Sequence, residues 1–344
     1  MKVKFITIFF LFAISFTSLM LTSVSSEANA TGCLKNSDGS AIMVTTGQDK
    51  PFALAGTTTY DQNQCSQEPD EYKIKFFKVA LCTAEPYTTG GGIAPDFTSC
   101  TDLSNTEKEV ILEPGIDKDL IDEELVLPLG SYKYLAVIID NHLKIKHQQK
   151  YVLQSDGTSP ADIFGNSTGN GAFCWTVAAG ITTYTGETYD SDYATAQGVT
   201  PVNSGTGTTN ARLKCGSSVS GKDFATEIID HFGEDATFVG FIDYDTMNVS
   251  TEHGISGIEI AGNMLQADNT IATNEDHSRR IAQIFRYATP VVITEKTNSF
   301  KLKVTTYSSV SIDMEVEDEV NVIWGVKVGG DPFIIQVETG TRAN

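Results

Sequence analysis

Apolar and polar residues alternate along many short runs of this chain, and a period of two predicts β-strands. The clearest run is Tyr72–Cys82, in which Lys73, Lys75 and Lys78 interrupt an otherwise apolar series. Such alternation is typical of a strand with one buried and one wet face. Turn residues such as Gly, Asn, Asp and Pro separate the runs at short intervals, so the pattern favours a sandwich or barrel of antiparallel strands.

Other runs carry the same signal. Tyr132–Asp140 predicts a strong strand, a turn is expected at Asn141–His142, and Leu143–Lys146 alternates again, with a continuation over Tyr151–Leu153. Later predicted strands are Phe238–Asp243, Pro290–Thr294, Phe300–Thr306, Val310–Val316, Val320–Val328 and Phe333–Val337.

One local pattern is more specific. In Leu127–Val137 a tight turn at Gly130 precedes Tyr132, which opens a buried strand. Greek-key sandwiches often place a tyrosine there, with its hydroxyl bonded back to the preceding corner. The pattern favours an immunoglobulin-like or transthyretin-like sandwich, with an ordinary strand start as the alternative.

Helix signals are few. Gly221–Phe232 places apolar side chains on one helical face and is followed by Gly233, a residue that often stops helices. Thr273 and Asp276 have the spacing of a capping box, but Arg280–Tyr287 fits a helix and a strand equally well. One or two short helices are therefore expected.

The chain divides by composition. We expect a signal peptide over 1–30, an N-terminal β-sandwich over 31–155, a polar Gly/Ser/Thr-rich connecting excursion over 156–221 and a C-terminal β domain over 222–344. The excursion is too polar to bury much apolar surface by itself. A pair between Cys174 and Cys215 would close it.

The first residues predict export. Lys2 and Lys4 precede an apolar stretch, and the segment ends in Ala28-Asn29-Ala30, which fits a cleavage site with small residues. The alternatives are an uncleaved anchor helix and lipidation at Cys33. The predicted location is secreted, extracellular or at the cell surface, with membrane contact only through the transient signal peptide.

The chain is strongly acidic, with 24 Lys and Arg against 44 Asp and Glu and a formal net charge of −20. This charge repels phosphate, so nucleic acid is excluded as a partner. Calcium is the one cofactor that the acidic loops allow, because it binds clustered oxygens. The carboxylate spacings match no EF-hand loop, so no metal ligand is assigned.

Six cysteines, in a chain expected to be exported, predict disulfides. We expect sequential pairing, Cys33–Cys65, Cys82–Cys100 and Cys174–Cys215, with the second pair stapling a hairpin loop. Zinc is the alternative, but no Cys-x-x-Cys or Cys-x-x-His spacing occurs.

Catalytic motifs are lacking, and no catalytic residue is predicted. Gly254–Ile258 departs from the Gly-x-Ser-x-Gly elbow of serine hydrolases because Ile258 replaces the second glycine. Cys174-Trp175 resembles the pair at a papain-like nucleophile, yet the rest of that signature is missing. A glycosidase needs only two carboxylates, so a secreted hydrolase stays a third, weaker hypothesis.

Three functional hypotheses remain. The first is a non-enzymatic cell-surface protein, either a structural subunit that self-associates through sheet edges or an adhesive module. The second is a carbohydrate- or ligand-binding protein. Its predicted ligand-binding residues, which would contact a surface glycan by ring stacking and hydrogen bonds, are Tyr184, Tyr189, Tyr193, Asp190 and Asp192. The alternative for these tyrosines is a local cluster packed on the sheet.

Overall fold

The computed structural model describes residues 32–44, 51–116, 120–121, 127–154, 173–178, 181–183, 213–232, 238–244, 255–317 and 322–341. Regular structure in these ranges is β-strand throughout, apart from one 3₁₀ turn at Glu275–His277. The predicted mainly β class is therefore confirmed.

Within the described ranges, nineteen strands numbered in chain order form four sheets. The main sheet contains β3 (Glu71–Cys82), β4 (Cys100–Ser104), β5 (Lys108–Leu112), β6 (Gly130–Asp140), β7 (His142–Lys146), β10 (Ile181–Thr183), β12 (Ala225–Ile228), β13 (Phe241–Ile242), β14 (Ile258–Leu265) and β15 (Arg280–Ile293). A second layer contains β2 (Gln64–Gln67), β17 (Val310–Glu317) and β18 (Val322–Gly330), together with the pair β16 (Thr297–Thr305) and β19 (Ile334–Thr341). The remaining sheet contains β1 (Ala41–Met43), β8 (Gln148–Leu153), β9 (Phe173–Trp175) and β11 (Lys214–Gly216).

Strands β6 and β7 form one extended line beside β3. Ile139 of β6 lies opposite Phe76, and Lys144 of β7 lies opposite Lys73, so both run antiparallel to the same partner strand. The expected reversal at Asn141–His142 is therefore wrong. On the side of β6 and β7 that faces away from β3, β15 pairs with β6 and β12 pairs with β7.

Asn141 fills the break between β6 and β7 and is fully buried. Its side-chain Nδ2 donates to the carbonyl oxygens of Ile229, at 3.0 Å, and Ser278, at 3.2 Å. Its backbone carbonyl accepts the N–H of Ile229, and its own N–H donates to the Arg279 carbonyl. Asn141 therefore links the end of β12 to the start of β15. At this point neither the β7–β12 ladder nor the β6–β15 ladder provides hydrogen-bond partners for these backbone groups.

The main core lies between the main sheet and the second layer. Phe333, just before β19, packs its ring against Phe76 of β3 and Phe285 of β15, with ring centroids 5.9 and 6.4 Å apart. Two further hydrogen bonds tie the layers: Gln283 donates to the Phe333 carbonyl, and the Tyr287 hydroxyl donates to the Ile335 carbonyl. Because successive side chains of a strand point to opposite faces, every second residue of β15 faces the second layer.

The opposite face of the main sheet has its own smaller core. Tyr87 and Tyr244 meet edge to face with centroids 5.6 Å apart, over the buried Ala261 and Ile284. Tyr87 belongs to the loop between β3 and β4.

Two of the three predicted disulfides are confirmed. Cys33 is bonded to Cys65, and Cys82 is bonded to Cys100, where the pair closes the β3–β4 hairpin loop as expected. Cys174 is disulfide-bonded, and the backbone of Cys215 lies directly opposite it in the β9–β11 ladder. The two confirmed bonds indicate an oxidising, extracellular-type environment.

The tyrosine predicted at the corner makes the expected contact. The Tyr132 hydroxyl donates to the Pro128 carbonyl at 2.9 Å, and the ring is buried. This fixes the entry into β6. The contact is local, however, and the finer immunoglobulin-like or transthyretin-like architecture is not confirmed by it.

The helix expected over Gly221–Phe232 is wrong, because Ala225–Ile228 is strand β12. Its apolar spacing fits 3.6 residues per turn, but the backbone groups pair with β7 instead. The expected capping box at Thr273 is replaced by a 3₁₀ turn with Asn274 as its N-cap, and Arg280–Tyr287 belongs to β15.

The two predicted sandwich units share strands in one sheet. Strand β6, from the predicted N-terminal unit, pairs along its length with β15, from the predicted C-terminal unit. The boundaries proposed at 155 and 222 stay a prediction, as does the signal peptide, which lies outside the described residues. The described part of the chain contains no apolar helix of membrane-spanning length.

Two fully buried asparagines allow a matched test of the junction. We expect Asn141→Leu to lower the free energy of unfolding by about 2–4 kcal/mol, because two buried carbonyls lose their donor. Asn263 is equally buried but makes no side-chain hydrogen bond within the described residues, so Asn263→Leu should be neutral or stabilising. Urea unfolding of both variants measures the difference, and equal losses would contradict the role of Asn141.

Candidate functional site

A cavity of about 800 Å³ lies between the main sheet and the second layer. Its walls are mostly apolar. The main sheet contributes Tyr72, Ile139, Leu143, Ile260, Ile281 and Gln283; the segment around β13 contributes Val239, Phe241, Ile242 and Asp243; and the covering segments contribute Cys65, Ser308, Gly330, Asp331 and Phe333.

The cavity extends across much of the main sheet. Its lining residues come from β3, β6, β15, β14 and β13, which are consecutive neighbours in the main sheet. Four steps of roughly 4.8 Å between strands span about 19 Å. The polar residues Asn63 and Gln64 are exposed, so the cavity meets solvent beside β2.

At the β3 end, the side chains of Glu227 and Tyr72 converge on Gly330. The backbone N–H of Gly330 donates to the buried carboxyl of Glu227, and a Cβ at Gly330 would lie 2.7 Å from both Glu227 Oε2 and Tyr72 Oη. Only glycine therefore allows the chain to pass here. Burial raises the pKa of Glu227 well above its ordinary value, and Asp331 and Asp230 add to the effect. Burial likewise raises the pKa of the Tyr72 hydroxyl, reinforced by Glu227 and Asp331.

Beside this group, Asp230 and His231 form a buried pair. The carboxylate Oδ1 of Asp230 lies 2.7 Å from Nδ1 of His231, which lines the cavity. The Asp230 carbonyl accepts the hydroxyl of Ser278, the residue whose own carbonyl is bonded by Asn141. The junction at Asn141 therefore fixes the position of His231 in the cavity wall.

At the opposite end, the loop between β3 and β4 holds the β13 segment. Asp243 accepts hydrogen bonds from the Tyr87 hydroxyl and from the Gly90 N–H. Gly91 lies so close to the Phe241 ring that any Cβ would collide with it. Because the Cys82–Cys100 disulfide closes this loop, a covalent link supports the cavity wall at β13.

The predicted site residues Tyr184, Tyr189, Tyr193, Asp190 and Asp192 lie outside the described residues, so the glycan-binding loop stays a prediction. The acidic runs near residues 117–124 and 315–319 are likewise outside the described side chains. No group of three His, Cys, Asp or Glu side chains suited to a metal ion occurs in the part that the structure describes.

Sequence reasoning missed the cavity, because its lining residues are scattered from Leu54 to Phe333. Two signals were visible: the turn Gly329-Gly-Asp-Pro332, and the buried-looking strand that ends at Asp243. Neither signal could reveal that the two segments face the same space.

The buried carboxyl of Glu227 gives a pH-dependent prediction. Because its pKa is raised in the folded state, it contributes full stability below its ordinary value of 4.5, and that contribution is lost as pH rises through the folded pKa. Glu227→Gln keeps an acceptor for Gly330 but cannot ionise. We expect the variant to match the wild type near pH 4 and to exceed it in melting temperature at pH 8.

Glu109→Gln is the control with the opposite sign, because a hydrogen bond from Lys144 lowers the pKa of Glu109. This control should be slightly less stable than the wild type at pH 8. Thermal melts at both pH values measure the effect. A Glu227→Gln variant that loses stability at pH 8 would contradict the buried neutral carboxyl.

Comparison with family models, with curated proteins and with solved structures found no match to this chain. The function proposed below therefore rests on the geometry of the chain itself.

Proposed function

We propose that the chain is a secreted, non-enzymatic binding protein that encloses a small, mainly apolar ligand in the cavity between its layers. The observation that carries the proposal is the cavity itself. Its volume of about 800 Å³ falls within the range of about 300–1,000 Å³ that is typical of small-molecule sites. Its few polar groups among apolar walls also fit such a site.

The apolar part of the cavity wall makes its size informative. Apolar side chains that face an unfilled or water-filled space forfeit dispersion contacts with protein atoms. A bound ligand would recover those contacts. The proposal is therefore that a ligand occupies this space.

Two features support a preformed site. The Cys33–Cys65 disulfide lies at the wall that includes Cys65, and the Cys82–Cys100 loop braces β13 through Asp243. A site held in shape before binding loses less conformational entropy when the ligand enters. The disulfides also fit the export signal predicted over 1–30.

A neutral, solvent-sensitive dye such as Nile red tests the proposal. We expect it to bind the purified protein with one site per chain and to gain fluorescence. Val239 is half-buried and lines the cavity, so Val239→Trp should occupy part of the space and weaken binding about tenfold or more.

The matched control is Val292→Trp, because Val292 is 52% exposed and does not line the cavity. It should bind the dye as the wild type does. Circular dichroism melts verify that both variants are folded. Absence of dye binding to the wild type, or equal binding by the two folded variants, would remove the support for the cavity as a ligand site.

A second candidate function is self-assembly as a structural subunit or adhesive module. Strand β16 pairs with β19 alone among the described strands, so one of its edges is open to a further strand. Two exposed lysines on β16, Lys301 and Lys303, are the kind of residue that discourages such pairing. This is why we rank self-assembly below ligand binding.

Electron microscopy and sedimentation of the purified protein test self-assembly. The edge-pairing hypothesis expects filaments or sheets that increase with concentration, with or without calcium, and that increase further in a Lys301→Thr/Lys303→Thr variant. A sharp monomer peak for the wild type and the double variant at high concentration would dispose of it.

A further inference from the structure

We infer that the corner at His147, where the main sheet meets the small sheet of β1, β8, β9 and β11, is an acid-sensitive hinge. Proton uptake by the His147 ring loosens the small sheet from the main sheet. His147 does not line the cavity. The inference therefore goes beyond the binding function proposed above and does not depend on it.

The backbone of His147 forms the corner itself. The residue lies between β7 of the main sheet and β8 of the small sheet, so the chain passes from one sheet to the other there. Its N–H donates to the hydroxyl of Thr176, which follows β9, and its carbonyl accepts the Thr176 N–H, each at 3.0 Å. The Thr176 carbonyl accepts the N–H of Asp223, close to the start of β12. These bonds attach the small sheet to strands of the main sheet.

The side chain of His147 occupies an inward position. Every second residue along β7 and β8 is buried, namely Leu143, Ile145, His147, Gln149 and Tyr151, and those between them are more exposed. Lys146 is one of the latter and pairs with Glu71 at 2.7 Å. His147 is 3% exposed, and neither ring nitrogen has a hydrogen-bond partner within the described residues. A proton would therefore add a charge and a second unpaired donor to a buried ring.

The charges around the ring do not compensate for such a proton. Within the described residues, three charged groups act on it: Asp70 just before β3, Lys35 before β1 and Lys222 before β12. Asp70 favours proton uptake, but its carboxylate is paired with Lys222 at 2.9 Å, and Glu68 interacts with Lys35. Both lysines oppose proton uptake. Burial is the largest cause, and together these effects lower the pKa of His147 to about 4.

The sign of the pH dependence follows from this shift. An exposed histidine has an ordinary pKa of 6.5, so between pH 6.5 and about 4 the open state binds a proton that the closed state does not. Opening therefore becomes more favourable as the pH falls, by up to about tenfold per pH unit. Carboxylates ordinarily titrate near about pH 4, so the effect of His147 begins before general acid unfolding.

The small sheet is the part that we expect to move. Three of its four strands, β1, β9 and β11, are three residues long, whereas β3, β6 and β15 of the main sheet contain 12, 11 and 14 residues. Units with few backbone hydrogen bonds open at a lower free energy than the core of a large sheet. Opening at His147 therefore releases the small sheet first.

Hydrogen–deuterium exchange of the full chain at pH 7 and pH 5, corrected for the intrinsic exchange rate, tests the hinge. We expect peptides covering 148–153 and 173–176 to lose about 30-fold in protection at pH 5. Peptides covering 130–140 and 280–293 should not lose protection. His147→Leu should abolish the pH-dependent loss, because leucine suits an inward position and no side-chain hydrogen bond is removed.

His277→Leu is the matched control, because His277 is an exposed histidine in the 3₁₀ turn. It should keep the pH dependence of the wild type. His147→Gln is a second variant that stays neutral at both pH values, and it should behave as His147→Leu does. Circular dichroism melts at pH 7 verify that each variant is folded.

Three results would overturn the inference. The first is equal protection of the small sheet at pH 7 and pH 5 in the wild type. The second is an equal loss of protection in the small sheet and in β6 and β15, which would indicate global unfolding. The third is a pH-dependent loss that persists in a folded His147→Leu or His147→Gln variant.

Discussion

Two hydrogen bonds from the side chain of Asn141, to the carbonyls of Ile229 and Ser278, hold together the strands that build the cavity wall. Ile229 and His231 directly follow strand β12, whereas Ile281 and Gln283 belong to β15, and all four residues line the cavity. Without a donor at their junction, two buried carbonyls would lie unpaired in the core, at a cost of about 1–3 kcal/mol each. Asn141 allows β6 and β7 to follow one another along the same side of β3. On their other side, β15 pairs with β6 and β12 pairs with β7.

The cavity follows from that arrangement. The second layer touches the main sheet firmly where Phe333 meets Phe76 and Phe285, and where Gln283 and Tyr287 bond to its backbone. Between these contacts and β13 the layers leave space. The two disulfides join segments on either side of this space, and a disulfide contributes about 2–4 kcal/mol of stability in proteins generally.

Much of the fold could be predicted from sequence where the signal was local. The alternation of Tyr72–Cys82, the hairpin staple at Cys82–Cys100 and the Tyr132 corner depend on residues close together in the chain, and all three are confirmed. Asn141 was misjudged because asparagine favours turns in general, whereas here its amide replaces missing ladder bonds in the core. Residues 221–232 were misjudged because Glu227 interrupts the apolar alternation, and tertiary pairing with β7 overrode the helical spacing. The cavity could not be predicted, since only sheet register brings Tyr72, Asp243 and Asp331 to one space.

Hydrogen–deuterium exchange, with and without saturating Nile red, tests most directly whether the space between the layers holds a ligand. The account predicts slower exchange on both walls at once, in peptides covering 227–232, 239–243 and 329–333, and little change in β16. Bound dye that leaves these three segments unprotected, or that protects the surface of a single sheet, would contradict it.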